Sequence, residues 1–347
     1  MTALPAQPAA PVTKIRLVSS IVIALKWPES HRHEATASFT GGRCFGISHS
    51  RLKGKYPPID GRWHRNVTQP GPFAMDDLVT IEGFRCYAPA LALGSADYPI
   101  EYFDRLYRLE ATHFWFLARN RIILRAFRHN LKHQARPRVL EVGCGTGNVL
   151  QSLAAENRYD LTGLESHIAG LRFARSRLPA VELVQADARN LPYESAFDAV
   201  GAFDVIEHIV EDDAVLASVR RALKPGGIFI VTVPQHMWLW SATDEQALHK
   251  RRYTRRHLSA QLRTAGFDIL RCSSFVTTLL PVLYASRLAK WRSSTADSAM
   301  DSYELEISRV ANTLCSAGMR VDEALIGMGL SLPVGGSLLA VARKKGC

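Results

Sequence analysis

The sequence is poor in cysteine and has no long apolar run. Its six cysteines form no CxxC pair, which disfavours a disulfide framework or a cysteine-built zinc site and indicates free thiols in a reducing compartment. No segment reaches the roughly 20 consecutive apolar residues that a membrane-spanning helix requires. We therefore expect a cytoplasmic protein, with peripheral contact to a membrane surface as an open alternative.

Negative charge is scarce at the start of the chain. Residues 1–74 carry ten cations and three anions, which gives +7 of the total net charge of +11. This segment shows no sustained apolar periodicity and is rich in proline, glycine and serine. We interpret it as a basic, disordered extension or as sequence upstream of a true start at Met75, and both interpretations stay open.

The chain as a whole has the composition of an ordinary globular protein, with 47% apolar and 22% charged residues. From 136 to 275, short apolar runs such as RVLEVG and DLTGLE alternate with helical segments such as NVLQSLAAE. This alternation predicts a parallel sheet with helices on both faces. We further predict a helical N-terminal segment at 75–135 that covers the ligand site, a helical cap or substrate region at 276–332, and a closing strand at 333–347.

Three glycines follow the first predicted core strand, in the sequence Glu141-Val-Gly-Cys-Gly-Thr-Gly147. Glycine lets a backbone turn sharply and approach a ligand closely. The dinucleotide fingerprint G-x-G-x-x-G is not met, because Asn148 stands where its third glycine would be. The carboxylate of Glu141 would repel a pyrophosphate, whereas it suits a cationic amino-acid group. The glycine run therefore points away from a dinucleotide and towards S-adenosylmethionine.

This run resembles motif I of the class I S-adenosylmethionine-dependent methyltransferases. The segments LTGLES, VQADARNLPY, FDAVGAFDVIEHI and LKPGGIFIVTVP resemble the later motifs of that family in the same order, so the resemblance covers roughly residues 137–235. It implies a Rossmann-like α/β fold, with a mostly parallel seven-stranded sheet and an antiparallel C-terminal strand, and S-adenosyl-L-methionine as the cofactor. It also implies that Glu165 accepts hydrogen bonds from both ribose hydroxyls and that Asp187 faces the adenine amino group.

The cofactor-binding residues that the resemblance implies lie in the core motifs and in the helical segment before them. In that earlier segment, EATHFWFLARNRII is similar to the N-terminal helix of an uncharacterised bacterial methyltransferase subgroup. There an aromatic side chain would cover the cofactor and an arginine would meet its carboxylate. The full predicted set is Glu141, Gly143, Cys144, Gly145, Gly147, Glu165, Ser166, Asp187, Ala188, Phe203, Trp115 and Arg119.

The chain lacks the acceptor motifs of two methyltransferase classes. No Asn/Asp-Pro-Pro-aromatic sequence follows the fourth strand, as enzymes that methylate exocyclic base amines usually have, and no cysteine follows a proline, as the nucleophile of pyrimidine C5 methylation commonly does. The leading prediction is therefore O-methylation of a small-molecule or lipid-linked acceptor, with C- or N-methylation open. A nucleic-acid methyltransferase that uses the basic N-terminal arm is a disfavoured alternative, and a non-catalytic cofactor-binding protein is another.

Candidate catalytic residues follow the fourth and fifth strands. His208 is either a general base, since an ordinary histidine pKa lies near working pH, or part of the pocket wall. His249 and Tyr253 are further candidates, and they would share one face if their segment is helical. Arginines in the basic cluster at 250–256 suit an anionic head group. The candidate substrate-binding residues are Asp244, Arg251 and Arg252.

Two further features are weighed without a functional assignment. Glu207 and His208 provide only two ligands for a divalent ion, so no metal is predicted. The apolar stretch at 275–291 ends in cations and is interpreted as a buried cap helix, with contact to a bilayer surface as the alternative. The oligomeric state is not predicted.

Overall fold

A computed structural model of the chain describes residues 79–92, 100–285 and 307–346. The predicted basic extension at 1–74 lies outside these residues, as does the segment 286–306 within the predicted cap. No helix in the described ranges is both long enough and apolar enough to cross a membrane.

The described strands form one twisted sheet. They are β1 (Val79–Ile81), β2 (Phe84–Cys86), β3 (Arg138–Val142), β4 (Asp160–Glu165), β5 (Glu182–Gln185), β6 (Phe197–Phe203), β7 (Leu223–Pro234), β8 (Phe267–Phe275) and β9 (Ser337–Lys344). Their order is β1-β2-β5-β4-β3-β6-β7-β9-β8. Strands β2 to β7 pair in parallel, and β9 lies antiparallel between β7 and β8. The predicted Rossmann-like fold with its antiparallel C-terminal strand is confirmed.

The predicted strand count of seven is wrong, because the described residues form nine strands. The two additional strands are β1 and β2, which lie in the segment that the sequence predicted as helical. Glu82 and Gly83 connect them with φ angles of +53° and +78°, the backbone that a two-residue hairpin turn requires. The hairpin extends the sheet because β2 pairs with β5, with Arg85 opposite Val184.

Helices cover both faces of the sheet. They are α1 (Pro89–Ala92), α2 (Ile100–Leu109), α3 (Phe114–Asn130), α4 (Asn148–Ala154), α5 (Ile168–Arg177), α6 (Asp212–Ala222), α7 (Ala242–Gln246), α8 (Arg255–Thr264) and α9 (Arg309–Gly327). One buried apolar cluster takes in α3, α4, α5 and α9, and a second cluster on the other face takes in α6 and α8. Apart from the hairpin, the predicted alternation of strands and helices in the core is therefore the observed one.

The helix from the predicted cap region, α9, packs against the N-terminal helix α3. Arg121 of α3 donates to both carboxylate oxygens of Glu323 at 2.7 and 2.6 Å. At the start of α3, the backbone N–H of Phe114 donates to Asn312 at 2.8 Å. The helices α3, from the predicted N-terminal segment, and α9, from the predicted cap region, thus pack together on one face of the sheet.

The order of the strands positions the ligand site. From β3 the chain winds through β4 to β5 on one side, and β6 and β7 follow on the other. In sheets of this kind, ligands bind at the carboxyl ends of the strands beside the switch point. Val142, Glu165 and Phe203 end β3, β4 and β6, so their edge of the sheet is the expected location.

Candidate cofactor and acceptor site

A cavity of about 810 Å³ opens at the carboxyl ends of the central strands. One side is formed by the glycine run after β3 and by the ends of β4 and β5. The other side is formed by the turn after β6 and by the segment 234–252. The helices α2 and α3 contribute further wall residues, among them Phe103 and Trp115. The volume is that of an ordinary small-molecule site.

The glycine run is shaped by positive φ angles and by close neighbours. Gly143 has a φ of +68°, and a Cβ there would lie 2.5 Å from Cγ2 of Val205. Gly147 has a φ of +80°, and a Cβ there would lie 3.1 Å from the Cα of Ala174 in α5. Gly143, Cys144 and Gly145 line the cavity, whereas Gly147 does not. We infer that Gly147 is a glycine because α4 starts there and packs on α5.

The carboxylate of Glu165 joins the glycine run to the end of β4. One oxygen accepts from the backbone N–H of Gly145 at 3.0 Å. The other accepts from the N–H and hydroxyl of Ser166 at 2.8 and 2.9 Å, and from the N–H of His167 at 3.1 Å. These donors hold a carboxylate at the cavity wall, where the predicted role for Glu165 and Ser166 requires it.

Glu141 is buried in the cavity wall with one carboxylate oxygen unpaired. Its side chain is 3% exposed, and Oε2 accepts no hydrogen bond from the described residues. Burial raises the pKa of this carboxyl to about 8, because desolvation disfavours the charged form. A buried oxygen of this kind fits the ammonium group of S-adenosylmethionine, which would supply both a donor and a positive charge.

We predict that the ligand-free Glu141→Gln variant is more stable than wild type at high pH, and that this difference disappears at low pH. The folded pKa of Glu141 lies above the ordinary glutamate value of 4.5, so its contribution to stability is fully present below that value and is lost as the pH rises through 8. Glutamine carries no proton to lose. Melting curves of both proteins should therefore agree near pH 4.5 and diverge by pH 8, where wild type should be the less stable. Parallel curves across this range would contradict the assignment.

The adenine side of the predicted site lies after β5. Asp187 caps the 3₁₀ turn Ala188–Asn190 by accepting from the N–H of Arg189 at 2.9 Å. The guanidinium of Arg189 also donates to both carboxylate oxygens, at 2.7 to 3.0 Å. Asp187, Ala188 and Phe203 all line the cavity. Contact of Asp187 with an adenine amino group stays a prediction.

Arg119 and Trp115 both line the cavity, but Arg119 already has an anionic partner. Its Nη1 lies 2.6 Å from a carboxylate oxygen of Asp204, and its Cζ lies 4.7 Å from the centre of the Trp115 ring. The Nε of Arg119 is buried and has no acceptor among the described residues. Contact of Arg119 with a cofactor carboxylate stays a prediction.

Sequence reasoning missed a buried network that connects α2 to the glycine run. Glu110, just after α2, accepts from Arg177 of α5 at 2.8 Å and from the hydroxyl of Thr146. Arg177 also donates to the backbone oxygen of Thr146 at 3.2 Å. The local sequence around Glu110, Thr146 and Arg177 does not predict these contacts, because they form only when the helices pack together.

The acceptor side of the cavity is organised around Asp244, which is 1% exposed. Its oxygens bind Nδ1 of His249 at 2.8 Å and two nitrogens of Arg252 at 2.8 Å each. Burial opposes ionisation of Asp244, but the hydrogen bond with His249 and the charge of Arg252 outweigh it and lower its pKa to about 2. Asp244, His249 and Arg252 line the cavity, so a negative charge holds the imidazole in a fixed orientation there.

His208 lines the cavity next to His249, with the two ring centres 4.6 Å apart. Burial, together with the charge of His249, lowers the pKa of His208 to about 3. The expectation that the pKa of His208 lies near working pH is therefore wrong, because desolvation disfavours the imidazolium. A histidine with this pKa is neutral and only weakly basic.

Tyr253 does not belong to the cavity. Its side chain is fully buried, and its hydroxyl donates to Asp212 at 2.7 Å. The expectation that His249 and Tyr253 share a helical face is wrong, because α7 ends at Gln246 and α8 begins only at Arg255. Tyr253 instead forms a bridge to Gln235 beside β7, which turns its ring into the core.

Arg251 is likewise not a cavity residue. Its Nη1 lies 2.8 Å from Asp212, and its Nη2 donates to the backbone oxygen of Val210 at 2.8 Å. Two arginines of the predicted basic cluster are therefore paired with carboxylates of the same chain, Arg251 with Asp212 and Arg252 with Asp244. Lys250 lines the cavity and remains available as a cation for an acceptor.

We predict that Arg251→Ala lowers stability without weakening acceptor binding. The substitution leaves the buried carboxylate of Asp212 without its cation, and loss of a charged partner costs about 1–3 kcal/mol. Urea unfolding measures this change. The exposed Arg256 of α8 provides the control, since Arg256→Ala should stay within about 0.5 kcal/mol of wild type. A raised acceptor KM in Arg251→Ala with unchanged stability would contradict the structural role.

Comparison with known proteins agrees with this geometry. The family described as "Methyltransferase domain" matches residues 140–231. A "Probable S-adenosylmethionine-dependent methyltransferase" of Mycolicibacterium smegmatis is 29% identical over 164 residues, which cover 46% of this chain and 62% of the relative. The fatty-acid O-methyltransferase of the same organism is 40% identical over 99 residues, which cover 27% of this chain and 36% of the relative.

Among solved structures, phosphoethanolamine N-methyltransferase 2 of Haemonchus contortus in complex with S-adenosyl-L-methionine aligns with a TM-score of 0.44 at 20% identity, covering 64% of this chain and 52% of that one. The chain spans less than two thirds of the length of the two curated relatives. The matched region runs from β3 to β7 and includes the glycine run, Glu165 and Asp187. Residues 140–231 therefore form a methyltransferase domain, and the chain has the Rossmann-like fold of the class I S-adenosylmethionine-dependent methyltransferases.

Proposed function

We propose that this protein transfers the methyl group of S-adenosylmethionine to an oxygen atom of a small-molecule or lipid-linked acceptor. The observation that carries the proposal is the shared cavity, since the predicted cofactor residues other than Gly147 line one continuous space with the Asp244–His249 pair. The resemblance to a fatty-acid O-methyltransferase supports oxygen as the acceptor atom and a lipid as an acceptor class.

The chain supplies binding and orientation on the cofactor side. Glu141 would take the ammonium group, Glu165 the ribose hydroxyls and Asp187 the adenine amino group. Trp115 and Phe103 line the same part of the cavity and would exclude water from the ligand. The bound cofactor supplies a methyl group on a sulfonium centre, and such a displacement depends mainly on alignment of the reacting atoms.

On the acceptor side, polar groups lie beside an apolar wall. The Asp244–His249 pair and Lys250 are the polar and cationic groups, while Leu239 and Leu283 belong to the apolar lining. This combination favours an amphipathic acceptor with a polar or anionic head and an apolar body. Asp204 and Leu248, which also line the cavity, both have a φ of +57°, and such strain in non-glycine residues is concentrated at functional sites.

A transfer assay with cofactor labelled in its methyl group tests the proposal. The acceptors are a series of fatty acids, a hydroxylated aromatic compound with a prenyl tail, a polyprenyl-linked sugar and RNA. We expect label in the lipid extract. Mild base then releases volatile labelled methanol from a methyl ester but not from an ether or an N-methyl group. Transfer to RNA with none to the lipid and small-molecule acceptors would overturn the proposal in favour of the nucleic-acid alternative.

A further inference from the structure

Three side chains with metal-binding atoms converge at the acceptor end of the cavity. Glu207, His208 and His249 each present one ligand atom, and these atoms all lie within 4.8 Å of one another. All three residues line the cavity. Ligands of one tetrahedral zinc ion lie about 3.4 Å apart, given metal–ligand distances near 2.1 Å. Small side-chain movements would therefore bring the three atoms onto one ion.

The carboxylate of Glu207 is an independent indication of a missing ligand. The side chain is completely buried, and neither of its oxygens accepts a hydrogen bond from the described residues. Buried carboxylates are normally paired, because leaving one unsatisfied costs free energy. The nearest positively ionisable atom is Nε2 of His249, 4.0 Å from Oε1, which is too far for a hydrogen bond. A cation between them would satisfy both groups.

His249 is already oriented as metal-binding histidines are. Its Nδ1 lies 2.8 Å from the carboxylate of Asp244, which two nitrogens of Arg252 also contact at 2.8 Å each. When the carboxylate accepts a proton from Nδ1, the lone pair of the imidazole is left on Nε2, which lies 4.0 Å from Oε1 of Glu207. A carboxylate that binds the far nitrogen of a metal-ligating histidine fixes its tautomer and makes it a better ligand.

Backbone hydrogen bonds hold the two ligand-bearing segments together. Glu207 and His208 form the 3₁₀ turn Ile206–His208 after β6, and His249 follows α7. The N–H of Lys250 donates to the backbone oxygen of Glu207 at 2.7 Å. The N–H of His249 donates to the backbone oxygen of Asp244 at 2.9 Å. The ligands are thus positioned by the fold rather than by a long loop that a metal ion would have to order.

We propose that Glu207, His208 and His249 bind a divalent transition-metal ion, with Zn²⁺ as the best fit, at the acceptor end of the cavity. Two imidazoles and a carboxylate suit zinc, and this set with a fourth position open to ligand is one used by catalytic zinc sites. Magnesium and calcium prefer oxygen ligands. Only two of these ligands are adjacent in sequence, which is why the sequence alone predicted no metal.

Because all three ligand residues line the cavity, a fourth position on the ion would be open to a ligand from that space. An ion there would bind an oxygen atom of the acceptor head group and hold it in line with the methyl group. This role rests on the proposed function, whereas binding of the ion does not. The two proposals can therefore fail separately: loss of metal binding leaves S-adenosylmethionine binding intact, and an inactive protein can still bind zinc.

Metal titration of the full chain tests the site. The protein is stripped with a chelator, dialysed, and titrated with Zn²⁺ and with Co²⁺, whose visible absorption reports the ligand geometry. We expect wild type to bind one equivalent more than Glu207→Gln, His208→Ala or His249→Ala, and bound Zn²⁺ to raise the melting temperature of wild type only. S-adenosylmethionine titration of each variant shows that its cofactor site is still folded.

Two exposed residues outside the cavity lining provide matched controls. Glu245→Gln and His257→Ala change the same residue types at exposed positions and should bind the ion as wild type does. Equal stoichiometry in wild type and all three site variants would overturn the proposal. So would a site that binds Mg²⁺ but not Zn²⁺ or Co²⁺, because that preference excludes imidazole ligands.

Discussion

Replacement of Glu165 by alanine should weaken S-adenosylmethionine binding by about 10- to 100-fold. A hydrogen bond to a charged group contributes about 1.5–3 kcal/mol, and each 1.4 kcal/mol is about a factor of ten in affinity. The carboxylate of Glu165 has two functions that the variant loses together. It would accept both ribose hydroxyls, and it holds the N–H of Gly145 in the glycine run at 3.0 Å. Calorimetric titration measures the loss.

A cofactor analogue separates these two functions. An analogue without ribose hydroxyls cannot use the carboxylate of Glu165, so the variant and wild type should bind it with nearly equal affinity if the ribose contact dominates. A similar loss for both ligands would assign the effect to the glycine run instead. The exposed Glu194 is the control, and Glu194→Ala should bind the cofactor as wild type does. Wild-type affinity of Glu165→Ala for S-adenosylmethionine would refute the assignment of this residue.

The core of the fold could be predicted from the sequence because its signals are local. Each strand from β3 to β7 is an apolar run that ends at, or within two residues of, a glycine, a proline or an acidic residue, and the core helices have their own apolar period. The hairpin of β1 and β2 was missed because each strand has only three residues, too few to show an alternation. Its turn, Glu82-Gly83, is also not one of the Asn-Gly, Asp-Gly or Gly-Gly pairs that mark such a hairpin in a sequence.

The acceptor side could be predicted only in part, because its chemistry depends on long-range pairing. The sequence shows that arginines cluster after β7, but not that Asp212 and Asp244 neutralise Arg251 and Arg252. It shows His208 beside Glu207, but neither the desolvation that lowers the pKa of His208 to about 3 nor the approach of His249. The neutralising carboxylates, the burial of His208 and the third metal-binding side chain all come from segments that meet only in the folded chain.

His249→Ala should lower kcat by at least about 100-fold while cofactor affinity stays within twofold of wild type. Positioned proton-transfer or electrostatic groups contribute about 10²–10⁴ in rate, and the substitution removes an imidazole in the cavity wall that a carboxylate orients. The cofactor residues lie on the other side of the cavity, so binding of S-adenosylmethionine should persist. Single-turnover rates with saturating cofactor measure the effect on chemistry directly.

The choice of His249 as the variant follows from its neighbours. Replacing Asp244 instead would leave the guanidinium of Arg252 buried without its carboxylate, and breaking a buried pair in this way costs about 3–5 kcal/mol. His249→Ala keeps the Asp244–Arg252 pair, with its two contacts of 2.8 Å, so a loss of rate cannot be ascribed to unfolding. The exposed His257 serves again as the control, with wild-type kcat expected for His257→Ala. An unaltered kcat in His249→Ala would show that the Asp244–His249 pair only shapes the wall of the pocket. Methyl transfer would then depend on the alignment of the cofactor and the acceptor alone.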